Sequence, residues 1–235
     1  MERTYTVADL QDIVARLRSE TGCPWDRVQT HESLERCMIE EAYEVVEGIH
    51  ILKETGDGKN LCEELGDVLL QVIFHSQLAE EEGQFALEQV VGGICEKMIR
   101  RHPHVFAGEQ AKDDSQIPAS WEEIKKQEKK GKKDQRSELE SVPRAFPALL
   151  RAQKVQKKLV QGGYIPQKSA EVMAQECEKL LQCLANGEAM EQQEATELTG
   201  ELLYEICRMA GRLGVQGEEA LAAKVEKEVK RIKYL

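Results

Sequence analysis

The sequence predicts an all-α protein made of two tandem helical units of about four helices each, which pack as helix bundles. Only 6 of the 235 residues are proline and 5% are aromatic, whereas 32% are charged. This composition is typical of helices whose exposed faces carry Glu, Lys and Gln. The length suits two units of roughly 100 to 120 residues each. Apolar residues also recur at helical spacing along both halves.

Four apolar stripes predict four helices in the first half. Their expected ranges are 7–20, 31–53, 60–82 and 84–102, each ending near glycine or proline. Only a short turn containing Gly56 and Gly58 separates the second helix from the third. We therefore expect those two helices to form an antiparallel pair. A polar helix is also expected at about 118–130.

The second half repeats the pattern of the first. Its apolar stripes predict helices at 144–161, 169–186, 191–213 and 217–233. When Glu41 is aligned with Glu176, Asp67 falls opposite Glu201 with one residue of slip, which indicates a repeat. The charged segment 131–143 separates the copies, so we expect a domain at 1–130, a linker at 131–143 and a second domain at 144–235.

Charge and composition exclude several classes of protein. The net charge of -11 repels polyanions, so we expect no nucleic-acid partner. The seven cysteines form no Cys-x-x-Cys motif and are expected to be reduced. A leader segment and a long apolar stretch are both missing from the sequence, which predicts a cytoplasmic protein that makes no membrane contact.

Two pairs of acidic residues lie on the neighbouring second and third helices. Glu41 and Glu44 are three residues apart, so they project from one helical face. Glu64 and Asp67 have the same spacing on the next helix. Both pairs fall on or beside an apolar stripe, and antiparallel packing through these stripes brings the four carboxylates together. The sequence therefore predicts a partly buried cluster of acids.

Such a cluster requires protons or a cation, because like charges in a poorly solvated site cost on the order of several kcal/mol. Oxygen ligands without His or Cys select Mg²⁺, with Mn²⁺ as a possible substitute. A single Glu-Glu-x-x-Glu run is usually a solvated helix face. Here the second acidic pair and the apolar surroundings favour a metal site.

Four ordered motifs lie in the first half of the chain: CPWDRVQTHESL from Cys23, EEAYEVVEGI from Glu40, EELGDVLLQVIFHSQLAEEEG from Glu63 and RRHPHVF from Arg100. Together they resemble the MazG family of nucleoside triphosphate pyrophosphohydrolases. The segment WEEIKKQEK from Trp121 also fits this pattern. The resemblance extends over about residues 7–130 and is weaker from Arg151 onward.

The resemblance implies hydrolysis of a nucleoside triphosphate to a monophosphate and pyrophosphate. It implies that the Mg²⁺ ligands are Glu41, Glu44, Glu64 and Asp67. Glu40 is the candidate that orients or deprotonates the attacking water, with Glu41 as the second catalytic residue. Lys97 and Arg101 resemble a basic pair that contacts phosphates. Trp25 is a candidate for stacking on the base, and packing is its alternative role.

The second copy has lost most of these acids. By position, Gln175, Lys179 and Leu198 replace acidic residues, and only Glu176 and Glu201 remain. We therefore expect residues 144–235 to have a structural or dimerising role, and nucleotide binding without hydrolysis is the alternative.

Two other functions fit parts of the pattern. The first is a non-catalytic nucleotide-binding or scaffold protein, which the intact acids argue against. The second is a di-iron protein, which needs two Glu-x-x-His pairs, and only Glu47 to His50 has that spacing. Wide apolar stripes and the resemblance also predict a homodimer.

Overall fold

The computed structural model describes residues 4–106, 124, 128, 139–166, 169–185 and 191–233. The chain divides into two compact units, Met1–Lys126 and Gln127–Leu235. The described residues contain helices and no strand, which confirms the all-α prediction. None of their helices is long and apolar enough to cross a membrane. Residues 124 and 128 are helical, and the rest of the polar helix expected at 118–130 and most of the linker at 131–143 lie outside the described residues.

The first unit contains four long helices and two short ones. They are α1 (Val7–Arg18), α2 (Pro24–Arg27), α3 (Glu35–Thr55), α4 (Lys59–Glu81), α5 (Leu87–Arg101) and α6 (Pro103–Phe106). The long helices confirm the four predicted from the apolar stripes, although α3 begins four residues later than expected. The periodicity did not predict α2 and α6, because a four-residue helix is too short to show an apolar stripe.

The core of the first unit forms where α1 packs against α4. Thr6 begins α1 with a capping box, in which its side chain and that of Asp9 each accept a hydrogen bond from the other's backbone N–H. Val14 on α1 and Ile73 on α4 are almost fully buried, and Leu34 closes the cluster from the segment before α3. This core therefore fixes α4, the helix that carries one acidic pair.

α3 and α4 form an antiparallel hairpin, as predicted. Gly56 ends α3 in the left-handed conformation, with φ 76°, which favours glycine. Gly48 on α3 is buried against α4, where a Cβ atom at this position would lie 2.9 Å from the Leu61 Cα atom. The absence of a side chain at Gly48 therefore allows the close approach that sets the distance between the two helices.

A pair of histidines ties the segment before α3 to α4. The Nδ1 atoms of His31 and His75 are 2.8 Å apart, and the rings stack with centroids 5.0 Å apart. Burial lowers the pKa of His75, and the positive charge of His31 lowers it further. Since two imidazolium rings repel at this distance, the contact requires at least one neutral ring.

We expect the free energy of unfolding to fall as the pH decreases below 6.5, the usual pKa of a histidine. Because the pKa of His75 is lowered in the folded state, the unfolded chain binds the proton first as the pH falls. The contribution of His75 to the free energy of unfolding is therefore fully present above pH 6.5 and is lost as the pH falls through the folded-state pKa. Urea titrations at several pH values measure the slope of the free energy of unfolding against pH. His75→Gln should flatten it, whereas His50→Gln, on exposed α3 surface, should leave it unchanged. Equal slopes in all three proteins would contradict the assignment.

The second unit contains four helices in the described residues: α7 (Ala148–Gln161), α8 (Ala170–Ala185), α9 (Gln192–Arg212) and α10 (Gly217–Lys233). These ranges confirm the four predicted for this half. α9 packs against each of the other three. Met173, Cys177 and Cys207 are buried in this unit. It therefore has apolar contacts of its own.

Candidate active site

Three carboxylates of the predicted cluster come together on the α3–α4 hairpin. Oxygen atoms of Glu41, Glu64 and Asp67 lie within 4.8 Å of one another, and all three side chains are half-buried. Glu41 comes from α3 and the other two from α4. The hairpin therefore joins acids that are 23 to 26 positions apart in the sequence.

The electrostatics show that the carboxylates repel one another. Burial raises the pKa of Glu41, and the charges of Asp67, Glu44 and Glu64 raise it further. Burial also raises the pKa of Glu64, followed by the charge of Glu44 and a hydrogen bond between these two carboxyl groups. Glu44 is exposed, so it lies at the rim and contacts the group through Glu64.

This donor set fits a hard divalent cation. All the donors are carboxylate oxygens, which Mg²⁺ and Mn²⁺ prefer. The ligand atoms of one octahedral Mg²⁺ lie about 3 to 4 Å apart, given Mg–O distances of roughly 2.1 Å. Small side-chain movements would therefore close the group around one ion. The positive charge would also offset the repulsion that raises the pKa values of Glu41 and Glu64.

Glu40 lies on the neighbouring position of α3 but faces a different partner. Its carboxylate accepts a hydrogen bond from the Nε atom of Arg36 at 2.6 Å, in an exposed ion pair one helical turn away. Exposed pairs of this kind contribute little to stability, so the carboxylate is readily released. The role of Glu40 toward the attacking water stays a prediction.

Asn60 is a site residue that the sequence analysis missed. Its side-chain amide donates a hydrogen bond to the Oε1 atom of Glu64 at 2.8 Å. Its Oδ1 atom is buried and has no hydrogen-bond partner among the described residues. The four-residue spacing of Asn60 and Glu64 on α4 is the signal that identifies the pair. Asn60 therefore holds one carboxylate of the group in place.

We expect Asn60→Ala to lower kcat/KM by about 10-fold, because groups that orient metal ligands typically contribute 10- to 100-fold. The Mg²⁺ concentration for half-maximal activity should rise as well, since Glu64 loses the hydrogen bond that orients it. Steady-state kinetics over a Mg²⁺ series measure both effects. Lys59→Ala, at the exposed neighbouring position, is the control. A loss of stability with an unchanged Mg²⁺ requirement would assign Asn60 a structural role only.

The predicted substrate-binding residues lie on other elements. Lys97 and Arg101 are half-buried on α5, which contacts α4 and has no backbone contact with α3 in the described part of the chain. Trp25 is 63% exposed on α2, and its role in stacking on the base or in packing stays a prediction. No described contact joins Lys97 or Trp25 to the acidic group.

The second unit has no comparable group among its described residues. In the described part of the chain, only Glu41, Glu64 and Asp67 bring three metal-ligating side chains within 4.8 Å of one another. Glu176 is half-buried on α8 and Glu201 is exposed on α9, the positions that the repeat assigns to Glu41 and Asp67. The loss of acids read from the sequence is therefore consistent with this unit's structure.

These features define an all-α protein whose first unit carries a carboxylate site on a helical hairpin. The family model of the MazG nucleotide pyrophosphohydrolase domain matches residues 29–106, which include both acidic runs. The chain is 38% identical over 227 residues to the nucleoside triphosphate pyrophosphohydrolase of Escherichia coli K12, covering 95% of this chain and 84% of that protein. It therefore belongs to the MazG family.

Two other relatives show how far this similarity extends. The chain is 42% identical over 230 residues to the nucleoside triphosphate pyrophosphohydrolase/pyrophosphatase MazG of Thermotoga maritima, covering 97% of this chain and 84% of that protein. It is 47% identical over 153 residues to the uncharacterized protein YabN of Bacillus subtilis. That match covers 65% of this chain but only 30% of YabN, so the chain spans less than a third of that protein.

Proposed function

We propose that this chain is a Mg²⁺-dependent nucleoside triphosphate pyrophosphohydrolase whose active site lies in the first unit. Membership of the MazG family supports a hydrolase that acts on nucleoside triphosphates. The observation that carries the proposal is the group formed by Glu41, Glu64 and Asp67. The products are a nucleoside monophosphate and pyrophosphate, so the reaction removes triphosphates from the nucleotide pool.

The residues of the site have separate roles in this proposal. Glu41, Glu64 and Asp67 hold the ion, and Glu44 joins them from the rim. Mg²⁺ held there would supply positive charge that offsets the negative charge of the polyphosphate, which would favour attack on the phosphoryl group. Glu40, once released from Arg36, orients the attacking water or accepts its proton.

We also propose that the chain works as a homodimer. Large apolar side chains on α3, α4 and α5 are exposed in the single chain, namely Val46, Ile49, Leu65, Leu69, Val91 and Ile94. Exposed apolar faces of this extent are typical of interfaces. A second copy of the chain would cover these apolar faces.

The proposed place of action is the cytoplasm, on free nucleotides rather than nucleic acid. All seven cysteines are free, which suits a reducing compartment. The net charge of -11 opposes binding to a nucleic-acid polyanion.

A pyrophosphate-release assay with mixed nucleoside triphosphates tests the activity. We expect one pyrophosphate and one monophosphate per triphosphate with Mg²⁺, some activity with Mn²⁺, and none with EDTA. Release of inorganic phosphate instead would place cleavage at the wrong bond. No release with either metal would favour a non-catalytic nucleotide-binding or scaffold protein.

A pair of matched variants tests which unit is active. Glu41→Gln and Glu176→Gln make the same chemical change at positions that the repeat aligns. We expect the first to abolish turnover and the second to leave it intact. The reverse pattern would place the active site in the second unit.

A further inference from the structure

The second unit contains a cavity of about 480 Å³ that the proposed activity does not use. It lies between α7, the end of α9 and the turn that precedes α10, and four basic side chains line it: Lys154, Lys157, Arg208 and Arg212. Among the described residues, none that lines the cavity carries a carboxylate. Cavities of roughly 300 to 1,000 Å³ hold small molecules and cofactors.

We propose that this cavity binds a nucleoside phosphate, at a site separate from the acidic group of the first unit. Neither Glu176 nor Glu201, the remaining acids of the second copy, lines the cavity. Glu201 lies seven residues before Arg208 on α9, a rise of about 10 Å. The cavity is therefore not the counterpart of the acidic group.

Arg208 supplies a largely buried positive charge. Its side chain is 16% exposed, and one guanidinium nitrogen lies 3.2 Å from the Oε1 atom of Glu205. The guanidinium lies 5.5 Å from the ring centroid of Tyr204. Its Nε atom is buried and has no hydrogen-bond partner among the described residues. Hydrogen bonds from a guanidinium to phosphate oxygens are charge-assisted and strong, so the accessible part of this side chain suits a phosphate.

The two lysines provide the surplus charge. Arg208 is paired with Glu205. Hydrogen bonds from the residue's own backbone and from Ser169 lower the pKa of Glu171, and the charge of Arg212 lowers it slightly further, so Arg212 lies near an acid. Lys154 and Lys157, both exposed on α7, have no acid partner at the cavity lining. Amines at the cavity suit a solvated phosphate group, since each donates hydrogen bonds without restricting its geometry.

The walls favour an organic phosphate over a bare anion. Apolar side chains of Leu150, Val160, Met173 and Val215 line the cavity beside the basic residues. An apolar wall beside a charged mouth suits a ligand with an uncharged ring system and a phosphate. A nucleoside phosphate has both parts.

Two glutamines on α7 hold these walls in position. The Gln153 amide donates to the carbonyls of Cys207 and Val215, at 3.2 and 2.9 Å, and accepts a hydrogen bond from the Gly217 N–H at 2.9 Å. The Gln156 amide donates to the Tyr204 carbonyl at 2.6 Å. These bonds join α7 to α9 and to the turn before α10. The cavity therefore forms without a ligand, which reduces the cost of binding.

Isothermal titration of the full chain with GMP tests the proposal. The titration contains EDTA and low salt, so binding does not depend on a metal or on turnover. We expect saturable binding, with guanosine and inorganic phosphate each binding more weakly than GMP. Absence of GMP binding would overturn the proposal, and so would guanosine binding as tightly as GMP.

Substitutions at the lysines assign the binding to this cavity. We expect the double variant Lys154→Gln, Lys157→Gln to weaken GMP binding roughly 10-fold or more, since two charge-assisted contacts are lost. These side chains are exposed, so the fold should survive. The double variant Lys179→Gln, Lys224→Gln removes the same charge elsewhere in the unit and should bind normally. Equal weakening in both double variants would overturn the proposal.

Discussion

Asp67→Asn should lower turnover by about 100-fold or more, because even groups behind metal ligands contribute 10- to 100-fold. It should also raise the melting temperature of the protein in EDTA. The charge of Asp67 adds to the effect of burial in raising the pKa of Glu41. Without a metal ion, the repulsion between these carboxylates therefore destabilises the folded protein. Neutralising one member relieves that repulsion while removing an anionic ligand. Loss of activity together with a gain in stability distinguishes a functional site from a structural one.

Melting curves in EDTA and in Mg²⁺ measure the predicted change in melting temperature. Mg²⁺ should stabilise the natural protein and have a much smaller effect on Asp67→Asn. Asp57→Asn makes the same change in the turn between α3 and α4, and its side chain can still accept the hydrogen bond from the Lys59 N–H. This control should match the natural protein in both assays. Undiminished Mg²⁺ stabilisation of Asp67→Asn would contradict the proposed site.

Arg18→Met should lower the free energy of unfolding by about 3 kcal/mol, because two backbone carbonyls and a carboxylate lose a charged hydrogen-bond donor, and such bonds contribute about 1.5 to 3 kcal/mol each. The Arg18 side chain is 6% exposed. It donates to the Glu81 carboxylate at 2.7 Å and to the carbonyls of Asp26 and Gln29 at 2.6 and 3.2 Å. Its guanidinium also lies 5.3 Å from the Phe74 ring centroid. One side chain therefore joins α1, the segment around α2 and the end of α4.

Urea denaturation of two variants separates these contacts. Glu81→Gln should cost clearly less than Arg18→Met, because Glu81 is 38% exposed and Arg18 retains both carbonyl acceptors. Equal losses would mean that the ion pair alone carries the contribution of Arg18.

The same ion pair predicts a dependence on pH. The hydrogen bond from Arg18 is the largest factor that lowers the pKa of Glu81 below its usual value of 4.5. The contribution of the Arg18–Glu81 ion pair to the free energy of unfolding is therefore fully present above pH 4.5 and is lost as the pH falls through the folded-state pKa of Glu81. Arg18→Met should lose less stability than the natural protein between pH 5 and about pH 3. A parallel decline in the two proteins would contradict this account.

The sequence alone predicted most of the long helices and their repeat. Helical periodicity and helix-ending residues are local signals. For this reason the predicted first and last residues of α1, α3, α4 and α5 lie within about four residues of the observed ones. The same periodicity did not predict the four-residue helices α2 and α6, because one helical turn is too short to show a repeating apolar position. The acidic pairs and their faces were also predicted, because side-chain direction on a helix follows from spacing.

Only the tertiary structure decided how these parts meet. The convergence of Glu41 with Glu64 and Asp67 depends on the close approach of α3 and α4 at Gly48, a distance between segments that periodicity does not contain. The support of Glu64 by Asn60 and the basic cavity of the second unit depend on which faces pack together. The sequence by itself determined which residues can carry the chemistry, since composition and helical spacing are local properties. The packing of helices distant in sequence determined which of those residues come together.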